Sequence, residues 1–406
     1  MRIALAVEGT RGDVYPMLGL GAALAKAGHD VDVCAPPGFR EEVEAHGLHF
    51  RRVGADVHAF LAAHGDALCT GAVGAARVGQ RFFCETIGRQ FAELVDAARG
   101  AERLIAAGTQ LSASSVAEHL GIPYRYVAYC PVMLPSRSHP PFPVPDQQLP
   151  AWMNALAWRL LAWGPNLVLR RRIDRERRVL ALPRIRGDLY AHALTARPIL
   201  AADAGLAEIP ADCRLNVSQV GCLHPRDARP LPPKLLSFLD AGAPPVYFGF
   251  GSMTDPDPTA TTRRILEAVD AVGCRALVSR GWAGLADGPL PDDVFALDGV
   301  AHDALFPRTA AVVHHGGAGT TTTAARAGVR QVVVPHVFDQ FYWARRVESL
   351  GVGPPPLARR RLRAEHLVAT LRATLDNELA AANAASLGEA LRRRARTPLD
   401  LRPFLD

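Results

Sequence analysis

The apolar positions of this chain keep two rhythms. Short β-branched runs at residues 2–7, 31–35, 103–107 and 124–128 alternate with longer stretches rich in Ala and Leu. That alternation predicts βα units around a parallel sheet. Residues 16–27 read as the first helix, with Pro16 in its opening turn and Gly28 just past its end. Residues 134–150 are proline-rich and aperiodic, which predicts a long surface loop. Residues 152–182 return to a helical pattern, with Trp152, Trp158 and Trp163 on or near an apolar face, so these rings contact an apolar ligand or belong to the core. A second proline-rich stretch, 225–245, breaks the composition and predicts a linker. The βα rhythm then restarts, with strands expected at 246–250, 276–279, 294–297, 311–314 and 331–334. The pattern therefore predicts an α/β chain of two Rossmann-like, doubly wound parallel-sheet domains facing across a cleft. Domain one is residues 1–224 and domain two 246–386, followed by a tail, 387–406. Ligands in such sheets bind beyond the carboxyl ends of the strands.

Composition narrows the class. With 49% hydrophobic and 21% charged residues the chain is globular, and no apolar run approaches the roughly 20 residues that span a bilayer. The first apolar stretch runs straight into Gly9, Arg11 and Asp13, so it reads as a strand and not a signal peptide, and the expected location is the cytoplasm. Seven scattered cysteines, with no Cys-x-x-Cys pair, are expected as free, buried thiols. The net charge of +6 is almost wholly arginine, since Lys26 and Lys234 are the only lysines. Its densest run, 170–178, is interrupted by acids and has no aromatic platform, which argues against nucleic acid and for a solvated helix face. Weak contact with an anionic membrane stays open for that run.

Four turns carry the candidate chemistry. In residues 311–340 a strand ends in His314-His315, passes through Gly316-Gly317-Ala318-Gly319 and opens a helix at Thr320. Glycines at a strand-to-helix turn bring backbone N–H groups to a ligand, and the helix end adds positive potential, so the turn suits a diphosphate. His315, Thr320 and Thr321 can donate to its oxygens. A plain capped turn is the competing reading. A second turn, Gly249-Phe250-Gly251-Ser252, follows the first strand after the linker and reaches the same sheet edge. Asp339-Gln340 follow the last strand, where an acid and an amide suit sugar hydroxyls, although Asp339 alone could cap a helix. After the first strand, Thr10-Arg11-Gly12-Asp13 opens the first helix, and Asp13 is a helix cap or a general base. Asp255-Pro256-Asp257 mimics a metal-binding Asp-x-Asp but is more simply the cap of a helix beginning near Pro258.

Taken in order, Gly9-Thr10-Arg11-Gly12-Asp13-Val14-Tyr15-Pro16, Phe250-Gly251-Ser252, Ser279-Arg280-Gly281-Trp282, the 314–321 turn and Asp339-Gln340 resemble the glycopeptide-antibiotic (vancomycin-type) glycosyltransferases. These form part of the UDP-glycosyltransferase superfamily with the GT-B fold. The resemblance implies an enzyme that transfers a hexose from a dTDP- or UDP-linked donor to a hydroxyl of a lipophilic or aromatic acceptor, inverting and without a metal or other cofactor. It implies Asp13 as the base, with Thr10, Arg11 and Gly12 in the acceptor-side loop. Arg11 stands near the place where some relatives carry a His and cannot act as a base. Gly251 and Ser252 would meet the phosphates, while Arg280, Trp282, Val300 and His302 would frame the nucleobase. His315, Gly316, Gly317, Gly319 and Thr320 would hold the diphosphate, and Asp339 and Gln340 the hexose. Thr323 stands where many UDP-glucose users carry a ribose-binding Glu, which leans the donor toward dTDP.

Three rivals are weighed: a dinucleotide oxidoreductase, a GT-B epimerase or phosphorylase, and a catalytically silent sugar-nucleotide binder. Gly19-Leu20-Gly21 lacks the third glycine of the dinucleotide motif and lies inside a helix, which fails its context. A sterol or glycolipid acceptor is the alternative for the transferase itself. The expected partners are the donor and a small acceptor, with no nucleic acid, and the sequence does not reveal oligomeric state.

Overall fold

The computed structural model describes residues 1–68, 72–225, 227 and 229–406. The chain divides into two compact units, Met1–Pro225 with Pro398–Asp406, and Arg226–Thr397.

The first unit is built on a seven-stranded parallel sheet in the order β3-β2-β1-β4-β5-β6-β7. Its strands are β1 (Arg2–Glu8), β2 (Asp30–Ala35), β3 (His49–Arg52), β4 (Arg103–Gly108), β5 (Tyr124–Ala128), β6 (Ile199–Ala201) and β7 (Ser218–Val220). Among its helices are α1 (Arg11–Lys26), α2 (Ala72–Ala97), α3 (Ala151–Val168) and α4 (Arg170–Val179). Two apolar layers sandwich the sheet: Leu5, Ile105 and Val127 pack with α1 on one face, and Ala4, Leu104 and Ala106 pack with Phe91 and Leu94 of α2 on the other.

The second unit has five parallel strands in the order β10-β9-β8-β11-β12. They are β8 (Val246–Gly249), β9 (Ala276–Ser279), β10 (Val294–Leu297), β11 (Ala311–His314) and β12 (Arg330–Val333). Its helices include α5 (Pro233–Asp240), α6 (Pro258–Val272), α7 (Ala318–Ala327), α8 (Gln340–Ser349) and α9 (Glu378–Arg394), while α10 (Arg402–Leu405) returns to the first unit. In both sheets the chain winds outward one way and then reverses. The reversal falls between β1 and β4 in one unit and between β8 and β11 in the other, which makes these the two switch points where a parallel sheet opens a crevice.

Several boundaries differ from the sequence expectation. Helix α1 begins at Arg11, five residues before Pro16, because Thr10 and Asp13 cap its first turn; Pro16 sits inside and forgoes one helical hydrogen bond. The 225–245 stretch is not all linker: Leu235 and Leu239 of α5 are buried beside Tyr247 and Leu277, so α5 belongs to the second unit. The helical stretch after Pro150 is two helices. The tail is shorter than residues 387–406, since α9 packs on α7 in the second unit and only Pro398–Asp406 joins the first, where Phe404 is buried. Strands β3, β6 and β7 are additional. Cys34 and Cys130 are buried, while Cys84, Cys213, Cys222 and Cys274 are only half-buried; none of the six is in a disulfide, and Cys69 lies outside the described residues. Among the described residues, no helix is long and apolar enough to cross a membrane.

Candidate functional site

At the switch point of the first unit, Glu8 ends β1 opposite Gly108 of β4. The chain then turns through Gly9, where a Cβ would lie 2.1 Å from Asp13 Oδ2, so only glycine admits the carboxylate here. Thr10 and Asp13 form a capping box. The Gly12 N–H donates to Thr10 Oγ1 (3.3 Å), and the Thr10 N–H donates to Asp13 Oδ2 (2.8 Å). The Thr10 hydroxyl also reaches Oδ2 at 3.4 Å, whereas Oδ1 makes no hydrogen bond among the described residues. The cap reading of Asp13 thus holds in geometry, with Oδ2 engaged in the capping box. Burial raises its pKa to about 6, against the lowering effect of the Thr10 hydrogen bonds. Aromatic groups surround it: the Tyr129 hydroxyl donates to the Asp13 carbonyl (2.8 Å) and the Tyr126 hydroxyl to the Gly108 carbonyl (2.9 Å). Arg11 and Gly12 are exposed.

Glu8 is a feature the sequence reading passed over. It is fully buried, accepts from the Ala55 N–H (2.8 Å) and from Gln90 of α2, and burial raises its pKa to about 7. Gln90 also donates to the Thr109 carbonyl (3.2 Å) and accepts from the Leu111 N–H (3.0 Å). One side chain thereby ties α2 to the ends of β1 and β4. The only sequence signal was an acid at the inner end of an otherwise apolar strand.

At the switch point of the second unit, His314 of β11 lies opposite Gly249 of β8. His314 is buried, and its Nδ1 accepts from the Gly316 N–H (3.1 Å), so the proton sits on Nε2 and is donated to Gln331 Oε1 (2.9 Å). Burial holds this imidazole neutral, with its pKa down to about 3. The histidine next to it differs. His315 is partly exposed, and burial lowers its pKa to about 4 against the raising effect of a hydrogen bond with the Gly249 backbone. Its Nδ1 is buried without a partner among the described residues. Gly251 has φ +61, and a Cβ there would meet His315 Cε1 at 2.8 Å, so the turns after β8 and β11 pack directly together.

Helix α7 starts at this point. Its N-cap is Gly317, which supplies no side-chain cap, so the N–H groups of Ala318, Gly319 and Thr320 have no helical partner. Thr321 turns its hydroxyl inward to the Gly317 carbonyl (2.9 Å), whereas Thr320 is partly exposed; Thr323 is buried. Ser252 is buried just past the Gly251 turn. The Trp282 N–H donates to the Gly251 carbonyl (3.1 Å), which brings Arg280–Gly281–Trp282 to the same edge. Arg280 is held by Asp298 (2.6 Å) and Asp287 (3.3 Å). His302 stacks on Phe306, with its Nε2 at 3.1 Å from the Tyr247 hydroxyl, and Val300 packs against the apolar cluster that holds Tyr247 and Phe306.

The Asp339-Gln340 pair divides. Gln340 is buried; its carbonyl oxygen accepts from the N–H groups of His336 (2.8 Å) and Val337 (3.1 Å), and its amide points at the Met253 sulfur. The carbonyl oxygen of this carboxamide is thus engaged inside its own turn. Asp339 stays partly exposed, and its Oδ2 accepts from Trp343 Nε1 (3.1 Å) without capping α8. Phe338, just before it, has φ +55 and exposes its ring, a strained conformation of the kind that gathers at working sites. Asp257 caps α6 by accepting from the Ala260 N–H (2.9 Å), and Asp255 pairs with Arg359 (3.0 Å), so each acid of the Asp-Pro-Asp segment has a structural partner.

Of the tryptophans, Trp158 is core, donating to the His139 carbonyl (3.0 Å), whereas Trp152 and Trp163 are exposed.

Residues 3–136 match the glycosyltransferase family 28 N-terminal domain, and residues 264–398 match the erythromycin biosynthesis protein CIII-like C-terminal domain. The chain is 39% identical over 367 residues to the vancomycin aglycone glucosyltransferase of Amycolatopsis orientalis, covering 87% of this chain and 85% of that one. It is 35% identical to the dTDP-epi-vancosaminyltransferase of the same organism, again over 87% of this chain and 85% of the other. The crystal structure of the glycotransferase of kitacinnamycin shares the fold with a TM-score of 0.72 at 18% identity, over 97% of this chain and 95% of that one.

Proposed function

Because this chain belongs to the glycopeptide-type GT-B glycosyltransferases, we propose that it moves a hexose from a dTDP-linked donor to a hydroxyl of a lipophilic or aromatic natural-product acceptor, with inversion and without a metal. The observation that carries this reading is Asp13, which has one oxygen fixed in the cap, the other uncommitted, and a pKa of about 6. At neutral pH it is an ionised base that the capping box already holds in place. The first unit takes the acceptor, and the tyrosines around Asp13 suit an apolar or aromatic one. The second takes the donor.

Asp13 Oδ1 removes the acceptor proton as the hydroxyl oxygen attacks the anomeric carbon. The bond from that carbon to the diphosphate breaks in the same displacement, which inverts the centre. The departing charge is met by His315, by the N–H groups of Ala318, Gly319 and Thr320, and by the α7 dipole. Gly251, Ser252, Gly316 and Gly317 line the phosphates. Arg280, Trp282, Val300 and His302 frame the base, and Asp339 meets the sugar. With protein donors assigned to the leaving group and both acids of the Asp-Pro-Asp segment engaged, the mechanism needs no cation. The buried Thr323 and a relative named for a dTDP-linked sugar support dTDP over UDP.

The test is calorimetric titration with dTDP and UDP in EDTA, followed by product analysis with a dTDP-hexose. We expect dTDP to bind at least tenfold tighter, and transfer in EDTA to give the inverted anomer by NMR coupling constants. Retained configuration, or activity lost to EDTA and restored by magnesium, would overturn the mechanism.

A further inference from the structure

Helix α3 buries one side and leaves a second, apolar side in the open. On the buried side lie Asn154 and Trp158, with Leu169 just past the helix end. The other side shows Trp152, Leu156, Leu160, Trp163 and Leu167, which are 64%, 47%, 56%, 62% and 62% exposed. Their spacing of 4, 4, 3 and 4 residues puts them in one stripe along the helix. Isolated exposed apolar residues are ordinary, but five large ones in a row form a contiguous patch.

The stripe does not stop where α3 ends. Leu169, between the two helices, keeps right-handed helical angles (φ −102, ψ −21), so the periodicity carries into α4. The next positions on the same face are Arg171, Arg175 and Arg178. All three are exposed, and none makes an ion pair among the described residues. No acid lies between Asp146 and Asp174, and Asp174 is buried. Arg170 and Arg177, by contrast, are tied into the fold, Arg170 on the Ile185 carbonyl (2.8 Å) and Arg177 on Glu118 (2.7 Å). The chain has thus separated its arginines into anchors and a free row.

We propose that this continuous face docks the protein in plane on an anionic phospholipid surface, with Trp152, Leu156, Leu160, Trp163 and Leu167 entering the interface and Arg171, Arg175 and Arg178 on lipid phosphates. From Trp152 to Arg178 the face is roughly 40 Å long at 1.5 Å per residue. Tryptophan favours the headgroup level, and a lone apolar stripe binds membranes weakly until cations add attraction to anionic lipid. A second copy of the chain would cover the apolar stripe but would leave three unpaired arginines without counter-charge, which is why the charge row selects lipid.

The experiment is flotation of the purified full-length chain with vesicles of phosphatidylglycerol and phosphatidylcholine, against phosphatidylcholine alone, at 0.1 and 0.5 M salt. Binding should require the anionic lipid and fall with salt, as expected when the Debye length shrinks from about 10 Å. Trp163→Ser with Leu167→Ser should lower vesicle-bound protein at least tenfold. Arg171→Ala with Arg175→Ala and Arg178→Ala should remove the preference for anionic lipid. All these side chains are exposed, and thermal unfolding of each variant checks that it folds. No binding to either vesicle, binding unchanged in both variants, or a dimer in sedimentation velocity that Trp163→Ser with Leu167→Ser dissociates would overturn the proposal. None of these readouts depends on the transfer reaction.

Discussion

The two switch points share a geometry and differ in electrostatics. Each is a glycine turn at the carboxyl end of a central strand that opens a helix. At the first, the third helical residue is Asp13, whose carboxylate accepts from Thr10 and occupies the positive end of α1. At the second, the third helical residue is Thr320, the N-cap is Gly317 and no side chain caps α7 among the described residues. The first helix therefore carries its own anion, and in the proposed function the second takes one from the donor. On that reading, a single position in the first turn of a helix separates a base from a diphosphate cradle.

The comparison breaks most severely at Asp13. Asp13→Asn keeps an oxygen to accept from the Thr10 N–H, so the helix should stay capped while the base is lost. We expect donor binding to hold and transfer to fall by about 10²-fold or more, measured by calorimetry and single-turnover rates. Near-normal turnover would leave Asp13 a cap only. The converse change, Thr320→Asp, copies the first turn into the second. It suits a helix N-terminus, so the fold should persist, but dTDP affinity should drop by roughly 10²-fold as the new carboxylate competes with the diphosphate. Unchanged affinity would move the diphosphate away from α7.

A pH profile gives a smaller effect. Because the Asp13 pKa is raised to about 6, kcat should be flat above pH 7 and fall about tenfold per unit below 6, as the base takes up a proton. The last effect concerns stability and not turnover. The Glu8 pKa rises from 4.5 to about 7 on folding, so the native state holds the extra proton between those values. Its stabilisation is complete below about pH 4.5 and is lost as pH rises through 7. Glu8→Gln should flatten that decline, worth on the order of 3 kcal/mol, in thermal unfolding followed from pH 5 to 8. An equally steep decline in the variant would mean that Glu8 does not titrate there.

Strands β1, β2, β4 and β5 and all five of the second sheet were legible because apolar runs mark buried parallel strands. Strand β3 was not: it is a short edge strand of His49, Phe50, Arg51 and Arg52, and Arg51 is held by Asp32 of the neighbouring strand. Strands β6 and β7 are three residues each and exist through pairing more than through their own pattern. At the sites, the glycine turns and Thr10–Asp13 were readable because local spacing sets local geometry. The turn that engages Gln340 was not read, since adjacency to Asp339 drew the attention while its partners, the N–H groups of His336 and Val337, lay just upstream. Glu8 was invisible because Ala55 and Gln90, which bury and bind it, come together only in the folded chain.

The return of residues 398–406 to the first unit has a consequence for how such proteins are cut and recombined. Phe404 is fully buried among Ile105, Val127 and Ile199, so a fragment ending at Pro225 would be a protein with a hole in its core. The second unit, by contrast, is one uninterrupted segment, Arg226–Thr397, lodged inside the sequence of the first. Exchange of the second unit between relatives therefore means replacement of an internal cassette with both outer flanks left in place. A swap of everything after the midpoint would carry away the plug of the half it means to keep.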